Sequence, residues 1–260
     1  MTVVDDLVAE WRLRPDGDAL CTGGAVVLPV RTDGAPAVLT VGAAEHAHLA
    51  LRRWNGDGAV RLLRADPHRS ATLVERVHDT SLESLADTDA CEVVATLYRR
   101  LHLPALPQLD SLPTLLSRWA DDLQALPNNA PLPHRLVDQA AALCRDLAAQ
   151  PADTVLHGNL HYGHVLAADR APWLAIAPAP LNGDPSYEIA PMLWHRWDEI
   201  ADNVRSGVAR RFYALVDAAE LDEDTARGFT LVRVVHRATE ALDDAAELTK
   251  LVSLAKAVQV

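Results

Sequence analysis

The chain has 260 residues, 49% of them hydrophobic, enough to build one bilobal, enzyme-sized unit around a sizeable core. A net charge of −12 excludes nucleic acid and anionic membranes as natural partners, because both recruit basic surfaces. There is no apolar run of membrane-spanning length, the first residues carry Asp5 and Asp6 where a secretory leader needs bases, and Cys21, Cys91 and Cys144 are scattered and odd in number, so a cytoplasmic protein with buried, reduced thiols is expected.

In chain order, Val4 to Trp11 has helical spacing, with Val4, Leu7, Val8 and Trp11 on one face. Strands follow at Ala19–Cys21, Ala25–Val30 and Ala37–Val41, turned by Gly23-Gly24 and by Asp33-Gly34. Ala43 to Trp54 reads as a helix stopped by Asn55-Gly56, and Val60–Arg64 and Ala71–Val77 as two more strands. The pattern then becomes helical at Asp87–His102, Ser111–Leu126 and Arg135–Gln150, with proline-rich breaks between them. Trp173–Ile176 reads as a buried strand, and helices resume at Ser186–Ile200, Val204–Glu220, Thr225–Leu242 and Asp243–Val258.

The chemistry concentrates in Val155 to Leu166, VLHGNLHYGHVL. An apolar strand end enters a His157-Gly158 turn, polar positions follow at Asn159 and His164, and Val165-Leu166 closes the stretch. This is the layout of a kinase catalytic loop, in which an Asp accepts the substrate hydroxyl proton and an Asn five residues on holds magnesium. Asn159 and His164 occupy those two positions. The only lysines are Lys250 and Lys256, so no lysine in the first half can grip a phosphate.

The segments LPVRTDGAPAVLTV, AEHAHLALRRW and GDGAVRLLRADPHRSATLVERV, followed by LHGNLHYGHVL, PWLAIAP and GDPSYEIAPMLWHRWDEI, carry a resemblance in their order and spacing. The chain resembles the aminoglycoside phosphotransferase-like kinases, in particular the streptomycin 6-kinase and hydroxyurea phosphotransferase group. The resemblance implies an α+β, protein-kinase-like bilobal fold: a small β-rich lobe over residues 1–78 and a helical lobe over 79–260, joined near Glu75 to Asp79 with Asn159 on the cleft floor. It also implies that Thr40 stands where active members carry the ATP lysine, and that the partner glutamate falls near Ala47, with Glu45 as a shifted substitute. By the same alignment Asn159 replaces the catalytic aspartate, His164 the magnesium-binding asparagine, and Ala177 the second metal ligand. Each change removes a different contribution: the base, the oxygen ligands and the charge facing the transferring phosphoryl group. A degenerate kinase without nucleotide or metal cofactor is expected.

The residues left to face a ligand on the acceptor side are His157, His161, Asp184, His195, Trp197, Asp198 and Glu199. His157, His161 and His164 do not constitute an expected metal site; a histidine acting as acid or base near neutral pH is the sharper reading. Asp184 in Gly-Asp-Pro reads first as a helix-capping carboxylate, Glu188 reads as structural, and one of Trp194 and Trp197 is expected in the core. The expected partner is a small, cationic metabolite or antibiotic. The rivals are an enzyme of another class using the cleft without nucleotide, a regulatory partner of another protein or of a second copy, and a phosphotransferase acting on an alcohol group.

Overall fold

In the computed structural model, which describes residues 2–259, the first eighty residues build an antiparallel sheet. Helix α1 (Val3–Glu10), capped by Thr2, leads into β1 (Arg14–Pro15), β2 (Leu20–Thr22), β3 (Ala25–Thr32) and β4 (Ala35–Val41). Helix α2 (Ala47–Trp54), β5 (Leu62–Asp66) and β6 (Ala71–Glu75) follow. The strand order is β1-β3-β4-β6-β5, with β2 on the other end of β3. Both tight hairpins use two residues at positive φ, Gly23-Gly24 and Asp33-Gly34, whose twist matches that of the strands they join.

Alternation sorts the two sheet faces. Leu28, Val30, Ala37, Leu39, Ala71 and Leu73 pack against Leu7 and Trp11 of α1 as a small separate core. The opposite face, with Thr40 paired across to Thr72, looks toward α2 and the second lobe. Helix α2 belongs to the larger core, where Ala50, Leu51 and Trp54 are buried and Trp54 Nε1 donates to Leu101 O at 2.8 Å.

The second lobe holds α3 (Asp87–Leu101), α4 (Leu112–Gln124) and α5 (His134–Leu147). Four short strands follow, β7 (Thr154–Leu156), β8 (Val165–Ala167), β9 (Trp173–Ala175) and β10 (Leu181–Gly183), paired as β7–β10 and β8–β9. Helices α6 (Ala190–Trp194), α7 (Val204–Ala219), α8 (Glu223–Thr239) and α9 (Ala245–Val258) complete it, with α3 on α7, α4 on α5 and α8 on α9. We propose the lobe boundary at 78/79, where the chain leaves β6 and pairs with β8 through His78 N to Ala167 O at 2.9 Å. Arg170, in the β8–β9 turn, ties the lobes further. It donates to Gly56 O at 2.6 Å and Ala59 O at 2.8 Å, and its guanidinium meets the Glu75 carboxylate.

Several expectations need correction. Ser186–Ile200 is not one helix: a 3-10 turn over Pro185–Ile189 runs into α6, which ends at Trp194, and Arg196 takes a left-handed φ of 51°. The reason is tertiary. The buried Arg211 guanidinium donates to His195 O at 2.7 Å and to Arg196 O at 3.1 Å, taking carbonyls that a continuing helix would use. The helix expected from Ala43 begins at Ala47, and the strand expected over Val60–Arg64 is shifted to Leu62–Asp66. Cys21 is exposed on β2, so only Cys91 and Cys144 are the buried thiols anticipated.

Candidate functional site

The loop after β7 is held from beneath by one carboxylate. Glu188 is 0% exposed and accepts the backbone N–H groups of His157 and Gly158, the latter at 3.1 Å. Arg233 of α8 donates to Gly158 O at 2.8 Å and to Tyr187 O at 2.9 Å, so its charge faces the same turn. His102 Nε2 stands 3.7 Å from Glu188 Oε1, beyond hydrogen-bond distance. Burial pushes the Glu188 carboxyl up, but the neighbouring His102 and the Arg233 guanidinium outweigh it and hold the group below its ordinary range. Gly158 has φ +78°, and a Cβ there would lie 2.0 Å from Ala179 O, so only glycine fits this crossing.

His157 is corrected as a ligand-facing residue. Its ring is fully buried, Nε2 donates to Ile176 O at 3.0 Å, and Nδ1 accepts Asn159 N at 3.3 Å. Burial lowers its pKa to about 4, which leaves it a neutral spacer that fixes the loop against the strand end leading to Ala177. His161, His164 and His195 come together instead. The His161 ring lies 3.7 Å from His195 at 9° and 3.9 Å from His164 at 35°. His164 Nδ1 donates to Asn159 O at 2.9 Å, which turns Nε2 into the unprotonated nitrogen. Burial lowers the pKa of all three, to about 4 for His195, where the Arg237 charge adds to the effect, and further for His161 beside its two neighbours. The stack is therefore neutral at pH 7. Among the described residues no group of three or more His, Cys, Asp or Glu side chains could hold a metal ion.

The expected acidic wall is dispersed. Asp184 accepts Ser186 N at 2.7 Å as a cap. Glu199 faces Arg196 and Arg211 rather than the loop, and Asp198 is exposed. Trp194 is buried under Arg233 and Arg237, whereas Trp197 is half-buried with Lys250 Nζ 5.9 Å from its ring. On the other flank lies a cavity of about 210 Å³ beside Gly158, lined among others by Asp110, Arg118, Ala179 and Tyr187. Trp119 borders this flank, stacked on His236 at 3.9 Å. Sequence reading missed this wall; the one signal for it was the aromatic Trp119 beside Arg118 on an otherwise ordinary amphipathic helix.

Three of the positions that the resemblance aligns with phosphoryl transfer lie together: His164 Nδ1 donates to Asn159 O at 2.9 Å, and Ile176 N, beside Ala177, donates to His164 O at 2.9 Å. Thr40 lies on the sheet face toward the second lobe and carries no charge. Ala47 is buried on α2, and Glu45, with a side chain 85% exposed, meets only His46 at 3.7 Å, so the shifted partner is not there. Ala177 has φ +50°, a left-handed conformation that Asp and Asn adopt several-fold more readily than Ala. Ala177→Gly is expected to stabilise the protein by about 1 kcal/mol by removing the Cβ strain of that conformation, read from the urea midpoint. An unchanged or lower midpoint would show the strain to be absent.

Comparisons with known proteins agree with this architecture. The aminoglycoside/hydroxyurea antibiotic resistance kinase family matches residues 10–245. The chain is 39% identical to a streptomycin 6-kinase of Streptomyces glaucescens, over 93% of this chain and 83% of that protein. It is 35% identical to a hydroxyurea phosphotransferase of Kitasatospora aureofaciens, over 93% of this chain and 73% of that one. Among solved structures, the aminoglycoside phosphotransferase APH(4)-Ia in a ternary complex with ADP and hygromycin B superposes with a TM-score of 0.63 at 16% identity, covering 99% of this chain and 98% of the other. The fold is thus the kinase-like one of the aminoglycoside phosphotransferases, and the chain belongs to the aminoglycoside/hydroxyurea antibiotic resistance kinase family.

Proposed function

We propose that this member of the antibiotic resistance kinase family binds a small, cationic molecule on the acceptor side of its cleft without transferring phosphate to it. One observation carries the reading. The loop that would do the chemistry is held by Glu188 and Arg233, and the resemblance aligns Thr40, Asn159, His164 and Ala177 with the positions of lysine, base and metal ligands. Asparagine keeps the size of a base but accepts no proton, and alanine offers hard magnesium no oxygen. His161, His195, Trp197 and Asp198 on one flank and Asp110 and Trp119 on the other are the groups we assign to the ligand, with aromatic faces and carboxylates suited to a cation.

A second reading is favoured by the 39% identity to a streptomycin 6-kinase: retained phosphotransfer by a variant machinery. One pair of titrations separates the two. Streptomycin is expected to raise the melting temperature saturably, with the gain lost in Trp197→Ala and Asp198→Ala. Calorimetry with ATP is expected to show no strengthening by magnesium. Micromolar magnesium-dependent ATP binding with streptomycin-dependent ADP release would establish the second reading instead.

A further inference from the structure

The sheet of the first lobe ends on β5, and one side of that strand is left open. It closes the order β1-β3-β4-β6-β5, and among the described residues 62–65 make no backbone hydrogen bond outside the β5–β6 ladder. Such an edge presents alternate N–H and C=O groups to any strand that reaches it. The register slips between Leu62 and Arg64, which makes Leu63 the extra residue of a bulge, and its side chain is 48% exposed. Beside it, a groove of about 170 Å³ runs between the end of α2 and β5, lined among others by Leu51, Arg52, Asn55, Leu62, Leu63 and Arg64.

Charge singles out the occupant. Arg52 and Arg64 are exposed and, unlike Arg69, whose guanidinium meets Asp66 and Glu10, neither is ion-paired among the described residues. The Arg64 guanidinium lies over the Trp11 ring at 5.0 Å, which engages its flat face and none of its N–H donors. Arg61, just before the strand, is exposed as well. No carboxylate lines the groove, although the chain carries a net charge of −12. Bulges and charges guard sheet edges against pairing with their own kind, and these do so: β5 of a second copy would set its own arginines against Arg61 and Arg64. Guarding an edge does not, however, call for an exposed leucine beside a groove.

We propose that β5 and its groove dock an extended, acidic segment of another protein, which adds a strand to the sheet through its backbone. Its carboxylates meet Arg52, Arg61 and Arg64, and an apolar side chain covers Leu63. Main-chain pairing of this kind supplies affinity, and the side chains supply the choice of partner. The site shares no residue with the acceptor cleft, so it stands or falls separately from ligand binding there.

The test uses the full chain and a fluorescein-labelled peptide of alternating sequence, Glu-Val-Glu-Val-Glu-Val, with Lys-Val-Lys-Val-Lys-Val as the charge control. Saturable binding of the acidic peptide at about 100 µM or tighter is expected, weakened about fivefold or more when salt is raised from about 0.05 to 0.3 M. Amide hydrogen exchange at residues 62–65 is expected to slow on binding, which attraction to arginines alone would not produce. Leu63→Glu and the double change Arg52→Glu with Arg64→Glu alter exposed positions and are expected to keep the melting temperature within about 3 °C. Both are expected to weaken the acidic peptide by about tenfold or more, and the double variant to bind the lysine peptide in its place. The proposal would be overturned by no saturable binding, by equal binding of the two peptides to the parent, by unchanged exchange at 62–65, or by affinity that survives both variants. A concentration-dependent dimer in sedimentation that Leu63→Glu dissolves would also overturn it, because a second copy would then hold the edge.

Discussion

Glu188→Ala is expected to destabilise the protein by about 3–5 kcal/mol, a large fraction of the stability of an ordinary domain. The carboxylate is fully buried and accepts two backbone N–H groups of the central loop, and Arg233 is pinned against the same turn. Truncation leaves both amides dry and unpaired and removes the negative charge that offsets a buried guanidinium. Glu188→Gln keeps one acceptor and is expected to lose roughly half as much, because the amide restores one bond but not the charge. Asp184→Ala, which removes a cap, is expected to cost only about 1 kcal/mol. Urea denaturation at pH 7 reads all three. A loss under about 1 kcal/mol for Glu188→Ala would mean that the loop is held from elsewhere.

The second large effect is acid lability well above the carboxylate range. His157 and His195 have their pKa lowered to about 4, and His161 and His164 are also lowered, chiefly by burial. The unfolded chain binds protons near pH 6.5, so it takes them up before the folded state does. The stabilisation is complete above pH 6.5 and is lost as pH falls toward 4, at about 1.4 kcal/mol per pH unit for each histidine that titrates. His157 and His195 alone give a slope of about 3 kcal/mol per unit in that window. Asp87 and Glu188 also have lowered values and contribute in the same direction, with stability kept above the carboxylate range and lost below it, so they steepen the decline only at lower pH. Urea midpoints at pH 7.5, 6 and 5 test this. His195→Phe is expected to flatten the slope while preserving the ring stack on His161. Equal midpoints at pH 7.5 and 5 would refute it.

Much of the fold was legible because it is written in local chemistry. The glycine-rich hairpins, the alternation of β3 and β4 and the apolar stripes of the long helices each follow from neighbours within a few residues. What was not legible depends on distant partners. The end of α6 at Trp194 is decided by Arg211, whose own pairing with Asp87 spans 124 residues. The meeting of His195 with His161 is likewise a product of the packing, since each histidine sits in an unremarkable local pattern. Glu188 read as structural because it lacks any local partner that chemistry would want; its grip on the loop required the fold. The dispersal of Asp184, Asp198 and Glu199 came from the same source, a helix drawn through a segment that long-range bonds interrupt.

The clasp made by Arg170 has a bearing on how the protein is born. Its acceptors on the sheet lobe, Glu75, Gly56 O and Ala59 O, precede it by 95, 114 and 111 residues. At about 5–20 residues per second, the first lobe leaves the ribosome roughly 5–20 s before the residue that fastens it has been made. In that interval the carbonyls after α2 and the Glu75 carboxylate face water, and Trp54 awaits the Leu101 carbonyl that its indole will bond. The nascent sheet is therefore unfinished while translation continues. A stall between residues 80 and 170 would leave a fragment open to chaperones and proteases, whereas one past the β8–β9 turn would leave a lobe already fastened.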